Sequence, residues 1–191
     1  MTISATYGGI TAQATLTVQA VPPTLGSFTM SPVVVIGGHN SVATATLSGP
    51  APAGGLIVAL SSSNTSVVSP GNVTVAAGSS TGTVTISTQG VSATTAVVIS
   101  ATLGSTTRSA TLTVRPAALA AITLNPKTLY GGSNSVASVT LNGAAPPAGA
   151  VVTLTSSNPA VASLPASVTI AGGASSATVT VQTQPVGALT S

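Results

Sequence analysis

Very few side chains in this sequence could do chemistry. The 191-residue chain has one histidine, His39, and three other cationic side chains, Arg108, Arg115 and Lys127, but no aspartate, glutamate or cysteine. Carboxylates act as general acids or bases, orient catalytic histidines and bind hard cations, while disulfides, iron–sulfur clusters and most structural zinc sites need thiols. We therefore predict that the protein is not an enzyme, that it has no catalytic residue, and that it uses no cofactor and no metal.

Two asparagines are candidate N-glycosylation sites. Asn64-Thr65-Ser66 and Asn72-Val73-Thr74 both fit the acceptor pattern, in which a hydroxyl residue stands two positions after the asparagine. The pattern is short and arises by chance in a chain rich in Ser and Thr, so ordinary loop asparagines are the competing interpretation. Glycosylation at Asn64 and Asn72 requires a surface-exposed protein in a host that glycosylates.

A lysine–asparagine isopeptide cross-link is the other chemistry with candidate residues. Lys127, Asn134 and Asn142 supply the two reacting side-chain types, and the arrangement resembles pilin-type domains, where a buried carboxylate catalyses the reaction. The absence of any carboxylate side chain argues against this cross-link. His39 follows Gly37-Gly38 and is expected to be an exposed turn residue, because a metal ligand needs further ligands of the right type.

The charge distribution argues against nucleic-acid and membrane partners. The formal net charge of +3 arises because acidic residues are missing, and three dispersed cations form no phosphate-binding stripe. The aromatic residues Tyr7, Phe28 and Tyr130 are isolated, so we expect them in core or half-core positions rather than in a stacking platform. Apolar runs such as Val33–Ile36 are far shorter than the ~20 residues of a spanning helix, so no membrane span is expected.

The sequence repeats itself internally. GGHNSVATATL (37–47) matches GGSNSVASVTL (131–141) at an offset of 94 residues (131 minus 37). ISATLGSTTRSATLTV (99–114) matches ISATYGGITAQATLTV (3–18) at an offset of 96 residues (99 minus 3), in the opposite direction along the chain. About the first 20 residues therefore correspond to the end of a repeat, and the second copy stops before that end.

Short alternating segments separated by turns predict an all-β fold. Val, Ile and Thr dominate these segments, as expected for a half-buried pleated surface, and no segment has helical periodicity. About eight short strands in about 95 residues are typical of a two-sheet antiparallel sandwich. In the complete copy we predict strands near residues 27–30, 33–36, 41–48, 56–61, 72–75, 82–88, 95–103 and 107–114.

A family resemblance is carried by two stretches, LSGPAPAGGLIVALSSSNTSVVSPGNVTVAAGSSTGTVTIST and LNGAAPPAGAVVTLTSSNPAVASLPASVTIAGGASSATVTVQT. They resemble the immunoglobulin-like tandem repeats of extracellular bacterial and archaeal surface proteins. The resemblance implies tandem Ig-like antiparallel β-sandwich repeats joined head to tail. Residues 1–21 are then the last two strands of a preceding repeat, 22–116 a complete repeat, and 117–191 a repeat lacking its last two strands. The Cys…Trp…Cys core of antibody domains and the acidic ligands of calcium-stiffened repeats are both missing.

The two incomplete ends of the chain fit each other. The second copy would leave an open sheet edge, which proteins avoid, and an isolated two-strand ribbon is marginal in water. A complete repeat between the two ends disfavours closure within one chain. We therefore expect Ile3, Ala5, Ala14, Leu16 and Val18 to contact a neighbouring copy by strand addition. Such a contact does not close, so it propagates as a fibre.

These features favour a structural subunit or segment of an extracellular filament or surface stalk. Its partners are copies of itself, joined head to tail, with glycans as candidate modifications. The units are either separate chains that exchange strands or segments of a covalent tandem array. The alternative is a cell-surface adhesin or a glycan- or protein-binding module that uses the loops at one end of the sandwich.

Folding stability should hardly depend on pH. Because the chain has no Asp or Glu side chain, no folded-state carboxylate side chain can take up a proton on acidification, so the proton uptake that drives acid denaturation is missing. We expect thermal unfolding midpoints at pH 3 and pH 8, followed by circular dichroism, to agree within a few degrees. A midpoint lower by about 15 °C at pH 3 would contradict this expectation.

Overall fold

Alternating apolar and hydroxyl side chains dominate the sequence, and they form strands along most of the chain. The computed structural model describes residues 1–18 and 21–188, and across those residues the regular structure consists of β-strands without any helix. The predicted all-β fold class is confirmed, and every strand predicted in residues 22–116 overlaps an observed one. Within the described ranges, therefore, no helix could cross a bilayer.

The first two strands form a ribbon, and we call residues 1–18, which contain this ribbon and the segment directly after it, the front hairpin. β1 (Thr2–Tyr7) pairs antiparallel with β2 (Ile10–Thr15) along their whole lengths. Gly8 and Gly9 make the turn with φ of +58° and +83°, a two-residue geometry that glycine adopts without strain. Every residue of both strands is exposed, so the ribbon has no covering layer within the single chain.

Two sheets form what we call the middle unit, residues 25–115. One sheet contains, in order, β3 (Leu25–Ser31), β5 (Asn40–Leu47) and β8 (Thr81–Ser87). The other contains, in order, β4 (Val34–Ile36), β10 (Thr106–Arg115), β9 (Thr95–Leu103), β6 (Leu56–Ser62) and β7 (Val73–Val75). β4 runs parallel to β10, and the other neighbours within these two sheets are antiparallel.

Both sheets of the middle unit contribute to one hydrophobic core. The fully buried Leu25 and Ile86 come from the three-stranded sheet, and the fully buried Ile99 and Leu112 come from the five-stranded sheet. Side chains alternate in direction along each strand, so every second residue reaches this core. Two sheets around one core make the middle unit β-sandwich-like.

The rear unit, residues 119–183, also has two sheets but fewer strands. One sheet contains, in order, β11 (Leu119–Asn125), β12 (Asn134–Leu141), β16 (Ser176–Thr183) and β14 (Ala162–Ser163). The other pairs β13 (Ala150–Thr153) with β15 (Ser167–Ile170). Its core is much smaller than that of the middle unit, with the buried residues Val139, Ala145, Leu154 and Ile170 at its centre.

The aromatic residues only partly follow the expectation that they pack in or beside a core. Phe28 is buried in the middle unit, but Tyr7 and Tyr130 are 93% and 91% exposed, so the expectation is wrong for both tyrosines. The physical reason is the same in each case. Tyr7 lies at the tip of the uncovered front hairpin, and Tyr130 lies in a rear-unit segment that pairs with no described strand.

Ile99→Ala and Ile3→Ala should differ sharply in their effect on a single chain. Ile99 is fully buried and Ile3 is 55% exposed. The buried substitution leaves a cavity that costs about 2–5 kcal/mol, whereas an exposed one costs under about 0.5 kcal/mol. In urea unfolding of the dilute chain, only Ile99→Ala should lower the midpoint. Equal midpoints for the two variants would contradict this assignment of the core.

Candidate assembly site

The front hairpin has the same strand register as β9 and β10 of the middle unit. Ile99 faces Ala110 in the middle unit, and Ile3 faces Ala14 in the front hairpin. Each residue of the first pair is 96 positions after its counterpart in the second pair (99 minus 3, and 110 minus 14). All the pairs of the front hairpin reproduce β9–β10 pairs at this offset, so we call β9 and β10 the matching ribbon.

A side-chain hydrogen bond is repeated along with the register. The hydroxyl oxygens of Thr6 and Thr11 are 2.8 Å apart in the front hairpin, and those of Thr102 and Thr107 are 3.0 Å apart in the matching ribbon. Each ribbon also turns through two residues that begin with a glycine of positive φ. The front hairpin is therefore a second copy of the matching ribbon in both backbone pairing and side-chain contact.

The two ribbons differ in what covers their apolar faces. Ile99 and Leu112 are fully buried, whereas their counterparts Ile3 and Leu16 are 55% and 48% exposed. The other predicted contact residues, Ala5, Ala14 and Val18, are exposed as well. The structure thus places all the predicted contact residues on an uncovered ribbon, where they touch no sandwich core.

The rear unit has an open groove of about 540 Å³ beside β11. Its apolar lining is Ile122, Leu124, Ala137, Ala162, Leu164 and Val181. Ile122 and Leu124 are 55% and 42% exposed, but their counterparts Phe28 and Met30 are buried in the middle unit, where β3 packs against β10. The groove therefore lies where the middle unit holds its matching ribbon.

Two strand features of the rear unit lack the pairing that the middle unit has. β6 reaches Ser62 because residues 59–62 pair with β9, whereas β13 ends at Thr153 and residues 154–156 form no strand. β4 pairs with β10, whereas residues 128–130 of the rear unit form no strand. Both differences occur where a matching ribbon would add backbone partners.

The candidate cross-linking residues are not gathered at one place. Lys127 lines the groove, whereas Asn134 begins β12 and Asn142 follows its end, and neither of these lines the groove. His39 is exposed after its Gly-Gly turn, and its Nε2–H donates to the carbonyl oxygen of Asn142 at 2.9 Å. The described residues contain no group of three or more side chains that could hold a metal ion.

The two candidate glycosylation sites lie on the middle unit, apart from the groove. Asn64 is half-buried after β6, and its Oδ1 accepts a hydrogen bond from the Ser66 hydroxyl at 2.7 Å. Asn72 is exposed directly before β7, and its Oδ1 accepts from the backbone N–H of Leu60 at 3.2 Å. Both stay predictions, and Asn72 presents its side chain to solvent more openly.

Sequence reasoning missed some of the groove lining. Ile122 and Leu124 could be found as counterparts of core residues in the other copy. Ala162 could have been found in the same way, because it matches the fully buried Val68 at an offset of 94 residues and pairs with Thr183 as Val68 pairs with Thr88. Leu164 could not, because its counterpart at this offset is Pro70 and the two copies differ in sequence there.

Comparison with known proteins gives no family and no relative from which a function could be transferred. No family model matches the chain, and no curated protein matches it significantly. The function must therefore be inferred from the front hairpin, the groove and the composition of the chain.

Proposed function

We propose that the protein is a structural subunit or segment of an extracellular filament or surface stalk, built from Ig-like repeats that join head to tail. The front hairpin of one copy fills the groove of the preceding copy and completes its rear unit. One observation carries the proposal: the front hairpin repeats the register of the matching ribbon, and the described residues of the rear unit, up to position 188, include no such ribbon.

The middle unit supplies the register of the proposed contact. Ser100 of β9 pairs with Ser61 of β6, and the offsets of 96 and 94 residues convert this pair into Ser4 opposite Thr155. The neighbouring pairs become Ile3 opposite Ser156, Ala5 opposite Leu154, and Thr6 opposite Thr153. β1 of one copy would thus pair with residues 153–156 of the other copy, at the end of β13, by strand addition.

The segment that follows the second strand of the hairpin has an equally defined place. Val114 of β10 pairs with Val35 of β4 in the parallel direction, which converts into Val18 opposite Leu129. Residues 128–130 would then gain the strand partner that their counterparts have in β4. β1 would restore one of the two strand features that the rear unit lacks, and the segment after β2 would restore the other.

Apolar burial would drive this association. Ile3, Leu16 and Val18 would leave water together with Ile122 and Leu124 of the groove, all of which are at least 42% exposed in the single chain. Full burial of one side chain of this size contributes about 1.5–3 kcal/mol. Because the hairpin and the groove are different surfaces of the chain, the contact is heterologous and propagates into a filament rather than closing.

The composition supports a structural role. A chain without carboxylate side chains or thiols offers no carboxylate general acid or base and no thiol nucleophile, and no carboxylate side chain can orient its single histidine. The extracellular placement is supported by the resemblance to Ig-like surface repeats. Separate chains and a covalent tandem array would put the same hairpin in the same groove, and mass measurement of the native assembly after denaturation distinguishes them.

Engineered cysteines should trap the proposed contact, because the chain has no cysteine of its own. Ser4→Cys combined with Thr155→Cys puts two thiols directly opposite each other, where Cβ atoms of paired strands lie about 4.5–5.5 Å apart. This spacing is near the range that a disulfide spans. Under mild oxidation we expect a ladder of linked multimers on a non-reducing gel.

The control for this cross-link is a pair displaced along the same face. Thr2→Cys combined with Thr155→Cys moves one thiol by two residues and should give far weaker linkage. The proposed register is wrong if both pairs form equal ladders. The proposed contact itself is wrong if Ser4→Cys with Thr155→Cys gives only monomers, whether linked internally or not at all.

Leu16→Asn should weaken assembly without unfolding the chain. Leu16 is 48% exposed in the single chain, while its counterpart Leu112 is fully buried. Replacing a groove-filling leucine by an amide should cost at least about 1.4 kcal/mol, which is about tenfold in association. Sedimentation velocity over a concentration series measures this shift.

Gln13→Asn is the matched control for Leu16→Asn. Gln13 is on β2, which ends one residue before Leu16, and its counterpart Ser109 is exposed in the middle unit. We expect this variant to assemble like the unaltered chain. If the two variants assemble equally well, the apolar face of the hairpin is not the contact surface.

A further inference from the structure

The middle and rear units meet at a joint made of backbone contacts. The carbonyl oxygen of Gly37 accepts the N–H of Ala144 at 2.8 Å. The His39 Nε2–H donates to the carbonyl oxygen of Asn142 at 2.9 Å. Gly143, which lies between Asn142 and Ala144 in the chain, is buried. We call this contact the within-chain joint.

Gly90 determines how closely the two units approach at this joint. A Cβ at this position would overlap the carbonyl oxygens of Ala144 and Ala145, so only a glycine leaves room for them. The neighbouring Val91 is 6% exposed. The within-chain joint is therefore close-packed as well as hydrogen-bonded, and a larger residue at position 90 would hold the units apart.

The loop that the rear unit contributes to this joint has an equivalent on the middle unit. Residues 48–51, which we call the front loop, correspond to residues 142–145. The N–H of Ala51 and that of Ala145 each donate at 2.8 Å to the loop that precedes β8 or β16, respectively. The front loop thus has the same local hydrogen bonding, but Pro50 at its tip is exposed.

The surface that the middle unit contributes to this joint also has an equivalent, on the rear unit. Residues 131–133 and 184–186 form what we call the rear surface. Thr183 Oγ1 donates to the carbonyl oxygen of Ser133 at 2.6 Å, as Thr88 Oγ1 donates to that of His39 at 2.8 Å. Val186 on this surface is 43% exposed, unlike the buried counterpart at position 91.

We propose that the front loop of one copy meets the rear surface of the preceding copy, and that this joint between copies bends more freely than the within-chain joint. The inference rests on the proposed function. A docked front hairpin brings the front loop, which follows it in the chain, to the rear surface.

The joint between copies lacks the two hydrogen bonds of the within-chain joint. Pro50 stands where the within-chain joint has Ala144, and proline has no N–H to donate to the carbonyl oxygen of Gly131. Ser133 stands where the within-chain joint has His39, and the serine side chain is too short to replace the hydrogen bond that the imidazole makes. Both of the specific polar contacts are therefore lost.

The spacing at the joint between copies is also wider. Pro185 replaces Gly90, so a ring occupies the space that close approach requires. The connection from the hairpin to β3 is two residues longer than that from β10 to β11, because the sequence offset falls from 96 to 94 residues across it. Small interfaces without specific contacts leave neighbouring domains free to move. A filament would then alternate stiff and compliant joints.

Spin labels can measure both joints, because introduced cysteines are the only ones present. Thr83 and Thr178 are exposed equivalents on β8 and β16. A chain labelled at both Thr83→Cys and Thr178→Cys, diluted into unlabelled chain, reports the within-chain joint. A mixture of the two singly labelled chains reports the joint between copies. We expect the second distance distribution to be at least about twofold broader.

Gly90→Pro, Ala144→Pro and His39→Ser together give the within-chain joint the residues that the joint between copies has as Pro185, Pro50 and Ser133. In the doubly labelled chain these changes should broaden the distribution to about the width of the joint between copies. His39→Ser alone should broaden the distance distribution by a smaller amount. Because His39 is exposed, this substitution should not unfold the chain, so broadening in this variant reports the joint and not a loss of folding.

The outcomes separate this inference from the proposed function. Equal widths at the two joints, or no broadening in either variant, overturn the inference while leaving the filament intact. A mixture of singly labelled chains with no measurable distance overturns the proposed function and the inference with it.

Discussion

An apolar β-ribbon and an unpaired sheet edge both need a covering partner in water, and this constraint governs the whole chain. The front hairpin exposes the side chains that its matching ribbon buries, among them Ile3 and Leu16. The rear unit exposes the groove that would receive them. No described residue of the chain covers either surface, and the proposed contact between copies would cover both.

The composition decides which forces can hold such an assembly together. With no acidic side chain in the sequence, no ion pair between side chains can form across the contact. Cohesion must come from apolar burial and from hydrogen bonds of the backbone and of neutral side chains, none of which needs a side-chain carboxylate. The same absence removes electrostatic steering between partners of opposite charge, so shape and strand register must supply specificity.

Much of the fold could be predicted from sequence because strand alternation and the internal repeat both report burial. Ala43, Ala45 and Leu47 alternate with threonines and match Ala137, Val139 and Leu141 of the second copy, a pattern that predicts an inward face, and all three are buried. The shortening of β13 was not predictable in this way, since its sequence still alternates and only a missing partner ends the strand. Local pattern records the propensity of a segment, whereas strand length also depends on its neighbours.

The same distinction between local pattern and neighbouring elements applies to the candidate assembly site. The contact residues of the hairpin were evident from the repeat, because their counterparts occupy a core. The exposure of Tyr7 and Tyr130 was not, since both positions depend on a covering element from elsewhere. The bond from His39 to Asn142 was also unforeseen, because it joins two units whose relative placement no local pattern specifies.

The measurement that tests the central claim most directly is electron cryo-microscopy of the native assembly at side-chain resolution. The account predicts that each groove holds a front hairpin from the following copy, with Ser4 opposite Thr155 and Val18 opposite Leu129. A front hairpin packed against the middle unit of its own chain, or a groove closed by another segment, would contradict it.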